Sequence, residues 1–356
     1  MNVVVVPARE LSAEQVALWR RLQEADPALA SPFFRPEFTE AVANVRGGVY
    51  VGILERSGRT VGFFPYQRGR LPIGAPVGGQ RSNYHGVIAE PGIDWDAMAL
   101  VRACGLRIWD FHHLIATQRP FERFHAAHGD SFYIDLSGGF AEYARLRRVA
   151  GSRVVPRLRQ QARRLERDVG PLRFEPDVTD LNTLHTMMRW KSRQYRRTGV
   201  PDNFAVPSNV RLLERLHAFE SDDFSGRLTA LYAGDQLAAV HLGLRSRHVF
   251  HSWFPTYNED LARYSPGLVL LFKLLEVAEW NGLTRIDLGK DQAPYKDRMA
   301  TGVTPLAEGS VVVPSPYSAI RKARRAVEGA VRRSPFERTA RAALRRVRLG
   351  TQQRAG

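Results

Sequence analysis

The chain has 356 residues, 44% of them hydrophobic and 25% charged, which suits two globular domains. No stretch reaches the roughly 18 uncharged apolar residues of a membrane span, and the single cysteine, Cys104, excludes an intrachain disulfide. The formal charge is +16, but residues 320–356 hold twelve basic and two acidic side chains and so carry +10 of it. We therefore expect no specific nucleic-acid partner and, since residues 1–7 read as a strand rather than a secretion signal, a cytoplasmic location.

The first third of the chain alternates helix and strand signals. Ser12 and Gln15 form a capping box, which predicts an amphipathic helix through Leu22. The next strong signal is GGVYVGILERSGRTVGFFPYQRG, two apolar runs around Ser57-Gly58. This pattern predicts a β-hairpin.

A stretch rich in glycine and proline follows the hairpin and ends in a short strand near residues 87–88. Three of its side chains are aromatic or polar, namely Asn83, Tyr84 and His85. They either line a groove or belong to a structured loop.

A strongly basic helical region connects the two halves. From 140 to 168 apolar residues recur at helical spacing, with arginines on the remaining faces. Pro156 is expected to open the second helix of this region and Gly170 to close it. The arginine face is either solvated or an electropositive wall for a phosphorylated ligand.

Both halves contain a predicted hairpin followed by a turn rich in glycine and proline, and this shared order indicates domain duplication. The predicted elements are a strand at 172–175, helices at 179–197 and 208–220, three antiparallel strands, a helix that starts at Ser265-Pro266, and a strand at 286–288.

Several segments carry a resemblance to a known family. They are SPFFRPEFTEAVA and GRTVGFFPYQRG in the first half, and LHTMMRWKSRQYRRTG, GDQLAAVHLGL and YSPGLVLLFKLLEVAEWNGLTRIDLGKDQAPYKDR in the second. In this order they resemble FemAB-related, CelD/BcsL-like acetyltransferases of the GNAT superfamily over most of residues 31–313. The resemblance implies an α/β fold of mixed sheets in tandem GNAT-like domains. Its expected divisions are an N-terminal domain at 1–139, a basic helical linker at 140–170, the acyltransferase domain at 171–314 and a basic tail at 315–356.

The start of the helix after Tyr264 predicts a phosphate site. Ser265 at the cap, Pro266 at the first position and Gly267 next leave backbone amides uncovered, and Arg263 adds a cation. Helix dipole and free donors together attract phosphate. Since the resemblance implies acetyl-CoA as co-substrate, we assign Arg263, Ser265, Gly267 and Lys290 to its binding; an ordinary capped helix is the alternative.

Acyl transfer from a thioester needs an acid for the leaving thiolate and a base for the acceptor. The resemblance implies that Tyr295 is the acid, and a phenol with a pKa of about 10 keeps its proton at neutral pH. His241 and His251, on neighbouring strands, are candidate bases because imidazole titrates in the useful range. Asp287 and Asp291 are carboxylate alternatives.

Two further groups are candidate substrate contacts. Asp291 and Lys296 either bind substrate or pair with each other to shape the turn. The resemblance places Lys191, Gln194 and Tyr195 near the acceptor groove, although cations at a helix C-terminus are favourable without any ligand. The ten histidines show no metal-ligand spacing, so we expect no metal.

The resemblance implies an N- or O-acyltransferase that acts on an amino sugar or hydroxyl of a cell-envelope or exopolysaccharide precursor. Two alternatives stay open. One is a Fem-type transferase that takes its aminoacyl group from tRNA, and the other is a non-catalytic scaffold for polysaccharide synthesis. The tail predicts two basic amphipathic helices broken at Pro335, with peripheral membrane contact through 318–350.

Overall fold

The computed structural model describes residues 1–221, 223–290 and 292–315. The predicted tail helices, and the membrane contact expected of them, lie outside these residues. Within the described part of the chain, no helix combines the length and apolar character that crossing a bilayer requires.

The described residues form a mixed sheet with helices packed on it. The first half contains β1 (Asn2–Pro7), α1 (Ala13–Ala25), α2 (Pro36–Val45), β2 (Val49–Arg56), β3 (Arg59–Arg68), β4 (Ile73–Ala75), β5 (Ile88–Ala89), α3 (Ala97–Ala103), β6 (Ile108–Ile115) and β7 (His125–Asp135). The connection contains α4 (Gly139–Val149) and α5 (Val154–Val169). The second half contains β8 (Leu172–Glu175), α6 (Leu181–Thr198), α7 (Pro207–His217), β9 (Glu220–Ser221), β10 (Phe224–Ala233), β11 (Gln236–Ser246), β12 (Val249–Tyr257), α8 (Pro266–Glu276), β13 (Arg285–Gly289), α9 (Pro294–Met299) and β14 (Gly302–Val312).

The two halves of the sheet mirror each other. The strand order is β1-β2-β3-β4-β6-β14-β7-β13-β12-β11-β10-β8. In each half an antiparallel run leads to a parallel pair, β4 with β6 and β12 with β13, and a helix lies in each crossover. The last strands are exchanged, because β7 pairs with β13 and β14 pairs with β6. The exchange joins the halves into one sheet, and the division expected at residue 139 stays a prediction.

Local signals in the first half produce the expected elements. The Gln15 amide donates to Ser12 Oγ at 3.2 Å and the Ser12 amide donates to Gln15 Oε1 at 2.9 Å, so the capping box forms. The helix runs to Ala25, one turn beyond the predicted end. The hairpin turns at Ser57 and Gly58, whose φ values of 51° and 75° are the positive angles of a type I′ turn.

The basic connecting helix starts earlier than predicted. It begins at Val154 rather than at Pro156. Proline is tolerated there because amides of the first helical turn have no partner within the helix. Gly170 follows the last residue, as expected, with φ of 145°.

Helix α8 passes between the sheet and α5. It contacts β11 on one side and α5 on the other, and Leu270 and Leu274 are fully buried. An apolar sequence on all sides of a helix is typical of such a position. Because α8 connects β12 to β13, its first turn lies at the end of β12.

Candidate active site

Strands β12 and β13 pair only at their beginnings. The parallel register runs from Val249 with Arg285 to His251 with Asp287 and then ends. Strand β12 continues beside β11, with Trp253 as an extra, unpaired residue at a β-bulge. The two strands diverge beyond this point and leave a gap in the sheet.

A cavity of about 360 Å³ opens at the end of β12 beside α8 and α6; we call it the α8 cavity. It brings together six residues that the sequence singled out: Lys191, Gln194, His241, Ser265, Gly267 and Tyr295.

A second cavity, of about 170 Å³, opens beside β13; we call it the β13 cavity. Its lining includes Asn83 and His113 from the first half, and Lys290 and Lys296 from the second. Ser252, Pro255 and Tyr295 line both cavities. Groups bound in the two cavities would therefore meet at these three residues.

The helix start after Tyr264 is as predicted, but its capping is not. Ser265 adopts a left-handed conformation with φ of 53°, and its side chain makes no capping hydrogen bond. Its hydroxyl instead accepts a hydrogen bond of 3.2 Å from Gln161 Nε2 on α5. A Cβ atom on Gly267 would meet only Tyr257 Cδ1, at 3.5 Å, among the described atoms within 4 Å. The backbone of the first turn is therefore approachable.

Arginine side chains flank this helix start. The guanidinium of Arg263 lies 4.7 Å from the ring centroid of Tyr264, and that of Arg164 on α5 lies 5.6 Å from the same ring. Arg263 is exposed and does not line the α8 cavity. It therefore adds positive charge beside the cavity rather than within it.

Helix α6 forms one wall of the α8 cavity. Lys191 Nζ donates to the carbonyl of Pro255 at 3.1 Å, and burial lowers the pKa of this lysine to about 8. Gln194 also lines the cavity, whereas Tyr195 packs against Phe204, with ring centroids 6.1 Å apart, and lies outside the lining.

His241 is buried and holds Ser252. Its Nε2 lies 2.9 Å from Ser252 Oγ. Burial, with the charges of Lys191 and His251 adding to it, lowers the pKa of His241 to about 3. The imidazole is thus uncharged at neutral pH, and its low basicity makes it a poor proton acceptor.

Asp287 lies at the centre of a buried network. Its carboxylate accepts hydrogen bonds from four donors: Tyr84 Oη, Ser131 Oγ at 2.9 Å, the Gly289 amide at 3.0 Å and Arg285 Nη2 at 3.2 Å. Burial raises the pKa of Asp287, but His251, Arg285 and these hydrogen bonds outweigh it and hold the pKa below its ordinary value. Asp287 is therefore ionised and does not line either cavity.

His251 sits between this carboxylate and the β13 cavity. Its Nδ1 lies 3.5 Å from Asp287 Oδ1, and its Nε2 lies 2.9 Å from Asn83 Nδ2. The side chain is 0% exposed and lines neither cavity. Burial lowers its pKa to about 4, although Asp287 opposes that shift. Among the described residues, Asn83 connects this predicted base to the cavity.

The turn after β13 separates residues that we had grouped. Lys290 forms an ion pair with Glu308 and lines the β13 cavity, whereas Ser265 and Gly267 line the α8 cavity, so the structure does not bring Lys290 to the start of α8. Lys296 is buried and donates to the Gly289 carbonyl at 3.0 Å. Asp291 lies outside the described residues.

Comparisons with known proteins identify one matching domain family and several similar structures. Residues 152–297 match the family model of the acetyltransferase (GNAT) domain. The C-terminal domain of a protein assigned as a lysylphosphatidylglycerol synthetase from Agrobacterium fabrum superposes with a TM-score of 0.52 at 13% identity, over 90% of this chain and 97% of that one. FemX superposes with a TM-score of 0.57 at 10% identity, over 89% and 99%. A conserved protein of unknown function from Bacteroides thetaiotaomicron gives a TM-score of 0.54 at 8% identity, over 88% and 100%. A search of curated proteins gives no match.

The chain contains an acetyltransferase (GNAT) domain, and this domain supports an acyltransferase. The domain is at 152–297 and contains the gap between β12 and β13. The predicted α/β fold with a mixed sheet is confirmed, and the structural likeness covers about nine tenths of the chain. FemX, one of the structures it resembles, agrees with the FemAB-related resemblance seen in the sequence.

Proposed function

We propose that the protein transfers an acyl group, in the first instance acetyl, from acyl-CoA to an amine or hydroxyl of an envelope or exopolysaccharide sugar precursor. The observation that carries this proposal is the meeting of two cavities at Ser252, Pro255 and Tyr295. A donor in one cavity and an acceptor in the other would be held in reacting contact, which can supply a large part of a rate enhancement.

The α8 cavity suits the donor. Its phosphates would lie at the first turn of α8, where Gly267 leaves the backbone uncovered and the helix dipole favours anions. Arg164 and Arg263 add positive charge beside this turn. The thioester would then reach Ser252 and Tyr295 at the junction of the two cavities.

The β13 cavity suits the acceptor. Its nitrogen or oxygen attacks the thioester carbonyl, whose developing negative charge would be stabilised by a backbone amide at the Trp253 bulge. The C–S bond then breaks, and the thiolate takes a proton from the Tyr295 hydroxyl. The acceptor releases one proton to solvent and the Tyr295 phenoxide takes one up from solvent, so atoms and charge balance over the reaction.

Donor binding is testable without knowing the acceptor. Acetyl-CoA at a hundred times its dissociation constant should stabilise the protein by about 2.7 kcal/mol. S-acetylpantetheine lacks the nucleotide phosphates, and at the same concentration it should stabilise the protein much less. Gly267→Phe should abolish the acetyl-CoA shift by covering the first turn of α8, with little change in the unliganded protein. Gly47→Phe, at an open site away from the cavity, is the matched control. Equal stabilisation by both thioesters would contradict the phosphate site, and no shift with acetyl-CoA would contradict the donor.

The role of Tyr295 is tested by turnover. With glucosamine as the probe acceptor and release of free CoA as the readout, Tyr295→Phe should lower kcat about 10²- to 10⁴-fold, the usual contribution of a general acid. Acetyl-CoA stabilisation should be retained. Tyr232→Phe, on β10 and outside both cavities, should leave kcat unchanged. Full activity in Tyr295→Phe would remove the phenol from the reaction.

A second candidate donor is an aminoacyl-tRNA. The favouring observation is the exposed face of α5, which carries Arg157, Arg159 and Arg163 along a helix of 16 residues. At a rise of 1.5 Å per residue this face is about 24 Å long, which suits a polyanion better than a single pyrophosphate. The likeness to FemX is compatible with it. Binding of bulk tRNA that weakens steeply with salt, together with no acetyl-CoA shift, would favour this donor. The scaffold hypothesis is not retained, because the chain carries an acetyltransferase domain.

A further inference from the structure

Asn83 enters the β13 cavity from the first half of the chain, outside the matched GNAT domain. Its amide nitrogen Nδ2 lies 2.9 Å from His251 Nε2. Since an amide has a donor end and an acceptor end, the direction of this one contact decides which atom faces the cavity.

The protonation of His251 determines that direction. Its Nδ1 faces Oδ1 of Asp287 at 3.5 Å and has no hydrogen-bond partner among the described residues. An ionised carboxylate attracts an N–H group and repels a lone pair, so the imidazole proton belongs on Nδ1 and Nε2 carries the lone pair. Asn83 must then donate through Nδ2, which leaves its oxygen Oδ1 for the cavity.

The surrounding side chains hold this arrangement in place. Phe33 and Tyr84 pack edge-on against the imidazole, with ring centroids 4.9 and 5.6 Å from it. The Asp287 carboxylate is fixed in turn by its four hydrogen-bond donors, which come from β7, β13 and the segment before β5. If the imidazole turned, Asn83 Nδ2 would lose its acceptor, and if the carboxylate turned, the donors around Asp287 would lose theirs. Leaving donors unpaired in a buried site is costly.

We propose that Asn83 Oδ1 accepts a hydrogen bond from the N–H or O–H of the acceptor nucleophile, and that His251 and Asp287 are positioning residues that orient the Asn83 amide. The proposal rests on the proposed function and identifies the side chain that would contact the reacting atom of its amine or hydroxyl acceptor. His251 does not touch the acceptor, because Asn83 lies between them.

A double-mutant cycle tests this arrangement. With acetyl-CoA and glucosamine as the probe acceptor, Asn83→Ala should raise KM for glucosamine about tenfold, the effect of one lost hydrogen bond in a buried site. His251→Leu should raise KM to a similar extent, since the amide loses its partner. His251→Gln should restore it, because the Gln oxygen can still accept from Nδ2. In the Asn83→Ala background, His251→Leu should add no further effect, because His251 acts only through Asn83. Asn44→Ala, an exposed asparagine on α2, is the control.

Additive effects of the two changes, or an unchanged KM in Asn83→Ala, would overturn the proposal. A second measurement does not depend on turnover. Long-range ¹H–¹⁵N correlation spectra of the imidazoles should show His251 protonated on Nδ1, with Nε2 shifting in Asn83→Ala. A proton on Nε2 would overturn the proposal, because the amide would then turn its nitrogen to the cavity. If acetyl-CoA does not stabilise the wild-type protein, the proposed donor is contradicted instead. Failure of the proposed function can therefore be distinguished from failure of the proposed role of Asn83.

Discussion

Two buried histidines should make this fold sensitive to mild acid. His241 and His251 are 3% and 0% exposed, and burial lowers their pKa values to about 3 and about 4. In the unfolded chain each imidazole takes up a proton as the pH falls through about 6.5, whereas the folded protein keeps both uncharged. The unfolded state therefore binds more protons, so stability is present above pH 6.5 and is lost progressively towards pH 4.

The expected loss follows from the same linkage. A pH of 5 is about 1.5 units below the ordinary pKa of an imidazole in the unfolded chain, and each unit changes the free energy of unfolding by about 1.4 kcal/mol. Each histidine thus contributes a loss of about 2 kcal/mol between pH 7 and pH 5, or about 4 kcal/mol together. That is a large share of the stability of a typical protein.

Urea unfolding followed by circular dichroism at pH 7, 6 and 5 measures this loss. His241→Gln and His251→Gln should each reduce the loss of stability between pH 7 and pH 5 by about 2 kcal/mol, whatever they do to stability at pH 7. His248→Asn, at an exposed site, should leave the change as it is. The reasoning is refuted if the double variant shows the same pH dependence as the wild type.

Two further predictions concern stability at pH 7, measured by the same unfolding experiment. Gly226→Ala should destabilise the protein by about 1–3 kcal/mol, because its Cβ would lie 2.4 Å from the carbonyl oxygen of Leu216; Gly47→Ala, with open space around it, should change stability by less than about 0.5 kcal/mol. Asp287→Asn should cost about 3–5 kcal/mol, because the buried donors around it would lose their charged acceptor; Asp94→Asn on the surface is the control, and an equal effect of the two would contradict the buried network.

Signals that act over a few residues could be read from the sequence alone. The capping box at Ser12, the turn at Ser57-Gly58 and the helix that begins at Pro266 all formed as predicted. Each depends on backbone angles and hydrogen bonds within one or two turns of chain, so neighbouring residues suffice to specify it. The resemblance to GNAT acetyltransferases was readable for a related reason, since it is carried by continuous segments.

What the tertiary structure decided is which distant side chains meet. Nothing in the sequence around Ser131 predicted that it would bind Asp287; the exchange of β7 into the second half of the sheet places it there. The sequence left Asn83 as either a groove residue or part of a structured loop, and its contact with His251 joins positions 168 residues apart. Lys290 was expected at the same phosphate site as Ser265 but lines the β13 cavity rather than the α8 cavity. Such contacts depend on strand order and on how far a parallel pair stays together, and these are properties of the assembled sheet rather than of any local pattern.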